Sequence, residues 1–189
     1  WAAQFGENMA ERVAAIVLVD TAAQDVVQNQ KLTPDDLPRF TYPVNPLIAR
    51  AFTSIPAPLP TNSYSSRLTH YISLGPVSRA AHVDFTDALI AANSPVARAA
   101  WGSAMYTMDL RAGLDAISVP TTVVVGEKDL LTPLSQAEFM AEVLGGKGLL
   151  SSLEVYPGAG HMVPFERAEA FNEVLEGVLA QAGSAAAVS

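Results

Sequence analysis

Residues 121–133, TTVVVGEKDLLTP, and residues 156–166, YPGAGHMVPFE, are two passages separated by little more than one helix of sequence. The first opens with an apolar run entered from Pro120, the pattern of a strand buried on both faces of a parallel sheet. Thr132 and Pro133 then supply an N-cap and a first-turn proline, so the spacing predicts a helix from 133 to about Leu144, stopped by Gly145 and Gly146. Residues 152–156, SLEVY, predict a second strand. Strand, helix and strand make a βαβ crossover, which is right-handed and leaves its strands parallel. Neighbouring strands lie ~4.8 Å apart, so the loops leaving their C-terminal ends emerge on one edge. Open α/β sheets place their ligands there. Asp129 stands on the first loop and His161 on the second, at similar height. Pro157, Gly158 and Gly160 permit the sharp backbone path that turns His161 inward over the sheet.

Working outward, residues 13–20, VAAIVLVD, repeat the buried-strand pattern after a helix already under way at Trp1. Beyond Pro164, Phe171, Val174, Leu175, Val178 and Leu179 recur at helical spacing, with Glu166, Glu169, Glu173 and Glu176 expected on the opposite, solvated side. The tail from Gly183 is expected to fray. Between the first and second strands, residues 23–112 differ in character. Seven of the 13 prolines fall between Pro34 and Pro60, and three helices are expected downstream: Asn62 to about Leu74, Pro76 to Asn93, and one opened by Ser94-Pro95. Residues 23–112 hold seven bases and six acids, whereas the remainder holds four and 13. The expected organisation is an α/β parallel-sheet core from residues 1–22 and 113–189, interrupted by a helical cap at 23–112.

Composition narrows the chemistry. Half of the 189 residues are hydrophobic and 16% are charged, enough apolar material for a buried core. A net charge of −8 has the wrong sign for gathering phosphates, which argues against nucleic-acid binding. The absence of cysteine removes disulfides, thiolate metal sites and a cysteine nucleophile, and three histidines offer little for a histidine-built metal centre. No apolar run approaches the ~18 residues of a membrane span, and the first residues lack a signal-peptide pattern. The expectation is a soluble protein, cytoplasmic by default, with no membrane span and no cofactor.

VVVGEKDLLTP, followed about 30 residues later by YPGAGHMVPFERAEAFNEVLEGVL, resembles the acid loop, histidine loop and terminal helix of the α/β-hydrolase fold family. AERVAAIVLVDT resembles the helix behind that family's nucleophile and its sixth strand, and residues 23–112 occupy the position of its helical cap. The resemblance implies that His161 is the general base and Asp129 the acid that orients it. The family's G-x-S-x-G nucleophile elbow is absent from these residues, as is a G-x-D-x-G variant. By family comparison, on the order of 100 residues carrying the nucleophile and both oxyanion donors are expected ahead of Trp1.

Several residues admit two readings. Asp20, at the end of the first strand, competes with Asp129 because some members of the family place the acid there; the preferred reading is a turn or cap residue. His70 and His82 read as ordinary helix surface rather than substrate contacts, and His82-Val83-Asp84 has no further ligand at metal spacing. Trp101, Met105 and Met108 at helical spacing read as core. Gly145-Gly146-Lys147-Gly148 follows a helix rather than a strand, and so reads as a helix stop, not a phosphate loop.

The leading functional expectation is cleavage of an ester or related bond in a fairly apolar small molecule. It rests on the near-neutral cap with Phe40, Tyr42, Phe52, Tyr64, Tyr71, Phe85 and Met105. An N-terminal segment or chain is expected as the partner that completes the sheet and supplies the nucleophile. The alternative is a non-catalytic scaffold binding a ligand or a protein, which would need neither Asp129 nor His161.

Overall fold

The computed structural model describes residues 2–30, 54–57 and 62–186. Helix α1 (Ala2–Arg12), kinked at Phe5, leads into strand β1 (Ile16–Val19). Helices α2 (Ser63–Ser73), α3 (Ala80–Ala92), α4 (Pro95–Met105) and α5 (Arg111–Asp115) come next. Strand β2 (Thr121–Gly126), helix α6 (Leu134–Gly146), strand β3 (Leu150–Tyr156), the single turn α7 (Val163–Glu166) and helix α8 (Ala168–Ala186) complete the order. The three strands form one parallel sheet in the order β1-β2-β3, with Val19 opposite Val124 and Val124 opposite Glu154.

Alternation along β2 explains the layers. Val123 and Val125 point to one face, where they meet Leu114, Ile117, Met140 and Leu144 from α5, α6 and their connections. Val124 points to the other, against Ala159, Val163, Phe171 and Val174. Helices therefore cover both faces, as a parallel sheet requires, and β2 is buried throughout. Removing each of its central valines from water contributes about 1.5–3 kcal/mol.

The chain departs from its sequence reading in several places. β1 is shorter than residues 13–20 and only half buried, because among the described residues it pairs on one edge alone. α6 has no side-chain cap: the Thr132 hydroxyl turns to Asp129 instead, and the helix passes through Gly145 and Gly146 to a stop at Lys147, with Gly148 at φ +71. α8 stays helical through Ala186, and its Leu179 is exposed rather than packed. Trp101, read as core, is 71% exposed. Glu166, expected on the solvated side of the last helix, is buried, because Arg167 leaves helical geometry and separates the turn carrying Glu166 from α8.

In the central segment the caps follow the sequence. Asn62 accepts from Tyr64 and Ser65 N–H, and Ser94 accepts from Ala97 N–H. Between residues 23 and 112 the described residues contain no strand, only an isolated antiparallel bridge of Gln24 with Asp109. Most of the proline-rich passage, with Phe40, Tyr42 and Phe52, lies outside the described residues.

Candidate active site

The site is built where β2 and β3 end. Gly126 closes β2, and the chain turns at once, Asp129 N–H donating to the Gly126 carbonyl at 3.1 Å. That turn buries the Asp129 side chain completely and surrounds it with donors. Oδ1 accepts from the N–H groups of Leu131 (2.8 Å) and Thr132 (2.9 Å), while Oδ2 accepts from the Thr132 hydroxyl (2.7 Å). One position remains on Oδ2, and His161 Nδ1 fills it at 2.9 Å. Thr132 Oγ1 also lies 3.2 Å from that nitrogen, so acid, hydroxyl and imidazole form a closed triangle.

His161 sits on the loop after β3, its side chain 26% exposed. Backbone contacts determine its height. A Cβ on Gly126 would collide with the Gly160 carbonyl, and one on Gly160 would come within 2.5 Å of Gly75 N, so these positions admit only glycine. The His161 N–H donates to the Ser73 carbonyl at 3.0 Å, docking the end of α2 directly on the histidine.

Two further buried carboxylates brace the loop. Asp20, in the left-handed region at φ +42, accepts from Gly126 N–H (3.1 Å) through Oδ1 and from Val163 N–H (2.9 Å) through Oδ2. It thus ties β1 to the end of β2 and to the turn after His161, and it makes no hydrogen bond to the imidazole. Burial pushes its carboxyl up to about 6 against the help of those amides. Glu166 accepts from Gly75 N–H (2.7 Å), Gly160 N–H (2.9 Å) and Met162 N–H (3.3 Å). Burial alone would lower the His161 pKa, but the Asp129 hydrogen bond and the charges of Asp129, Asp20 and Glu166 raise it on balance.

Of the residues singled out from sequence, Asp129 and His161 are brought together. His70 is exposed and within 2.8 Å of Ser78 Oγ, and His82 Nδ1 accepts from Arg79 N–H at the start of α3, a capping contact. Sequence reasoning missed Thr132, the bracing by Asp20, and Glu166. The loop amides at 158, 160 and 162 lie beyond the strand and must find acceptors: Gly158 N–H donates to Glu127, and Gly160 and Met162 N–H donate to Glu166. Among the described residues no cluster of His, Asp or Glu has the form of a metal site, and no helix is long and apolar enough to cross a membrane.

A groove of about 530 Å³ opens beside the acid loop, lined by Arg67, His70, Tyr71 and Leu74 from α2 and its end and by Lys128 and Leu130 flanking Asp129. A second groove, about 360 Å³, lies against β1 and is lined by Ile16, Leu18, Leu110, Leu114 and Met140 among others.

This arrangement has relatives. A thermophilic esterase is 26% identical with a TM-score of 0.60, the match covering 96% of this chain and 62% of that one. An esterase from Thermogutta terrifontis is 20% identical at TM-score 0.66, covering 96% and 61%, and one from Exiguobacterium antarcticum is 22% identical at 0.61, covering 93% and 62%. The chain thus spans about three-fifths of the length of these structures, which share its α/β-hydrolase fold. No curated protein matches it. The family model Hydrolase_4, described as serine aminopeptidase S33, matches residues 1–168, and the chain belongs to that family of α/β-hydrolases.

Proposed function

We propose that His161 and Asp129 are the base and the orienting acid of a nucleophile-His-Asp triad that cleaves an ester or related bond in a fairly apolar small molecule. The nucleophile and oxyanion donors come from a segment outside residues 1–189. The observation that carries this reading is the 2.9 Å contact between His161 Nδ1 and an Asp129 carboxylate already fixed by three other donors. A surface histidine meeting an acid by chance needs no such cradle. The name of the esterase 26% identical to this chain adds support for ester cleavage.

With Asp129 opposite it, Nδ1 carries the proton and Nε2 offers its lone pair. Nε2 takes the proton from a serine hydroxyl as it attacks the ester carbonyl, and returns it to the departing alkoxide. Asp129 stabilises the imidazolium formed between those steps. In deacylation Nε2 deprotonates water and restores the serine. Residues 23–112 act as a helical lid over this edge, a role consistent with the docking of α2 on His161. The nucleophile segment pairs with the edge of β1 that has no strand beside it among the described residues.

The experiment is turnover of short-chain aryl esters and of aminoacyl anilides by the protein that carries these residues together with its nucleophile segment. Ester hydrolysis lost in His161→Ala, with a fluorophosphonate probe labelling a serine outside 1–189, supports the reading. Labelling of a serine within 1–189 overturns the placement of the nucleophile, and preference for the anilides replaces the ester by a peptide bond. Unchanged hydrolysis in His161→Ala overturns the triad.

A further inference from the structure

We propose that Glu166 is a positioning residue that bolts the end of α2 to the histidine loop, so that the place of His161 over the sheet is set jointly by core and cap. This inference rests on the triad reading given above for its consequence in turnover, but not for its geometry.

The Glu166 carboxylate divides its two oxygens between two segments of chain. Oε2 accepts from Gly75 N–H, one residue beyond α2's cap at Leu74. Oε1 accepts from Gly160 and Met162 N–H, the residues on either side of His161. The same two segments touch elsewhere at main-chain level: His161 N–H donates to the Ser73 carbonyl, and Gly75 stacks on residues 158–160 so closely that neither Gly75 nor Gly160 has room for a Cβ. Three amides thus converge from two directions on one buried group. Only an acceptor with no donor of its own satisfies them all.

A glutamine in this place turns an NH₂ toward either Gly75 N–H or the Gly160–Met162 pair. One side of the bolt is then a donor facing a donor at a buried position. The charge matters separately. The groups facing His161 are Asp129 from the acid loop, Asp20 from the end of β1 and Glu166 from α7, and all three favour the imidazolium. Glu166 makes no hydrogen bond to the ring, so it acts through the loop backbone and through its field.

The test is Glu166→Gln in the protein carrying its nucleophile segment, followed in two independent ways. Turnover on an aryl ester is expected to fall about 10- to 100-fold in kcat with KM changed less than about 3-fold, the signature of a base displaced by a fraction of an ångström. The His161 ring titration, followed by NMR, is expected to move down, and the Gly75, Gly160 and Met162 amides are expected to exchange with solvent faster than in the parent. A variant with kcat within 2-fold and an unmoved His161 titration overturns the proposal. If the parent itself shows no ester turnover, the triad reading fails while the titration and the exchange still judge the bolt. If the variant does not fold, amide exchange in the parent decides: Gly75, Gly160 and Met162 opening together supports the bolt, and Gly75 opening independently of the other two overturns it.

Discussion

The two outer strands of the sheet have met different fates. On the β3 side, the loop carrying His161 is closed by main-chain contacts and by three buried carboxylates, each oxygen of which has a donor. On the β1 side, a strand as apolar as β2 is left half buried, with a groove of Ile16, Leu18 and Leu114 alongside it. Val19 and Val124 stand opposite one another in register, yet Val124 is 1% exposed while Val19 is only partly covered. Apolar patterning expresses a demand for burial; neighbours on both edges and both faces satisfy it. Val124 lies on β2, which has a strand on each side, whereas β1, like β3, has a strand on one side only among the described residues.

The largest expected effect separates chemistry from stability on the closed side. His161→Ala in the protein with its nucleophile segment should lower kcat/KM for an aryl ester by at least about 10³-fold, roughly 4 kcal/mol of transition-state stabilisation. Its Tm should barely move, since the loop is held by backbone and carboxylates rather than by the imidazole. A Tm that collapses with activity would mean that the imidazole itself holds the edge shut.

A pH titration of stability comes next. Asp20 has a folded pKa of about 6 against an ordinary value of 3.8, so the folded state binds more protons than the unfolded state between those values. Stability should therefore fall as pH rises from about 4 through 6, by about 3 kcal/mol at 1.36 kcal/mol per unit. His161 is also raised, so its contribution has the same sign, present at low pH and lost as pH climbs past its folded value. Denaturant unfolding of Asp20→Asn across this range should show a flatter profile. An unchanged slope would remove Asp20 from the account of the closed side.

The register pair sharpens the comparison directly. Val124→Ala should cost about 2–3 kcal/mol and Val19→Ala about 1 kcal/mol when residues 1–189 are unfolded alone. With the nucleophile segment added, the cost at Val19 should rise toward that at Val124. Equal costs in the isolated chain would erase the distinction between the two strands. The smallest effect belongs to the surface: Asp109→Asn breaks the exposed pair with Arg111, 2.5 Å apart, and should leave Tm unmoved.

Much of this was legible in the sequence because it is local. TTVVVG announced a strand buried on both faces, Asn62 and Ser94 announced helix starts, and the crossover between two strands brought Asp129 and His161 to one edge. Such features depend on side-chain alternation, on caps within three residues, and on the handedness of a βαβ unit, all of which a single pass along the chain can read. The errors were also local in form. Thr132 has the composition of an N-cap and Glu166 sits at helical spacing with the other glutamates of the last helix, yet both side chains turn toward partners distant in sequence or outside the helix.

By itself, then, the sequence determined the parallel strands, the helices that cover them and the pairing of an acid with a histidine. Tertiary structure decided what the other acid, Asp20, does. Asp20 and Asp129 both end apolar strands, but only Asp129 is turned back by its own loop to face Nδ1, while Asp20 is spent on the amides of Gly126 and Val163. Tertiary structure alone decided that Glu166 is buried, because the acceptor needed by Gly75 N–H lies 91 residues further along the chain. Periodicity reports which way a residue faces within its own element; the partner of a buried polar group is set by where other elements end, and that is a property of the packed molecule.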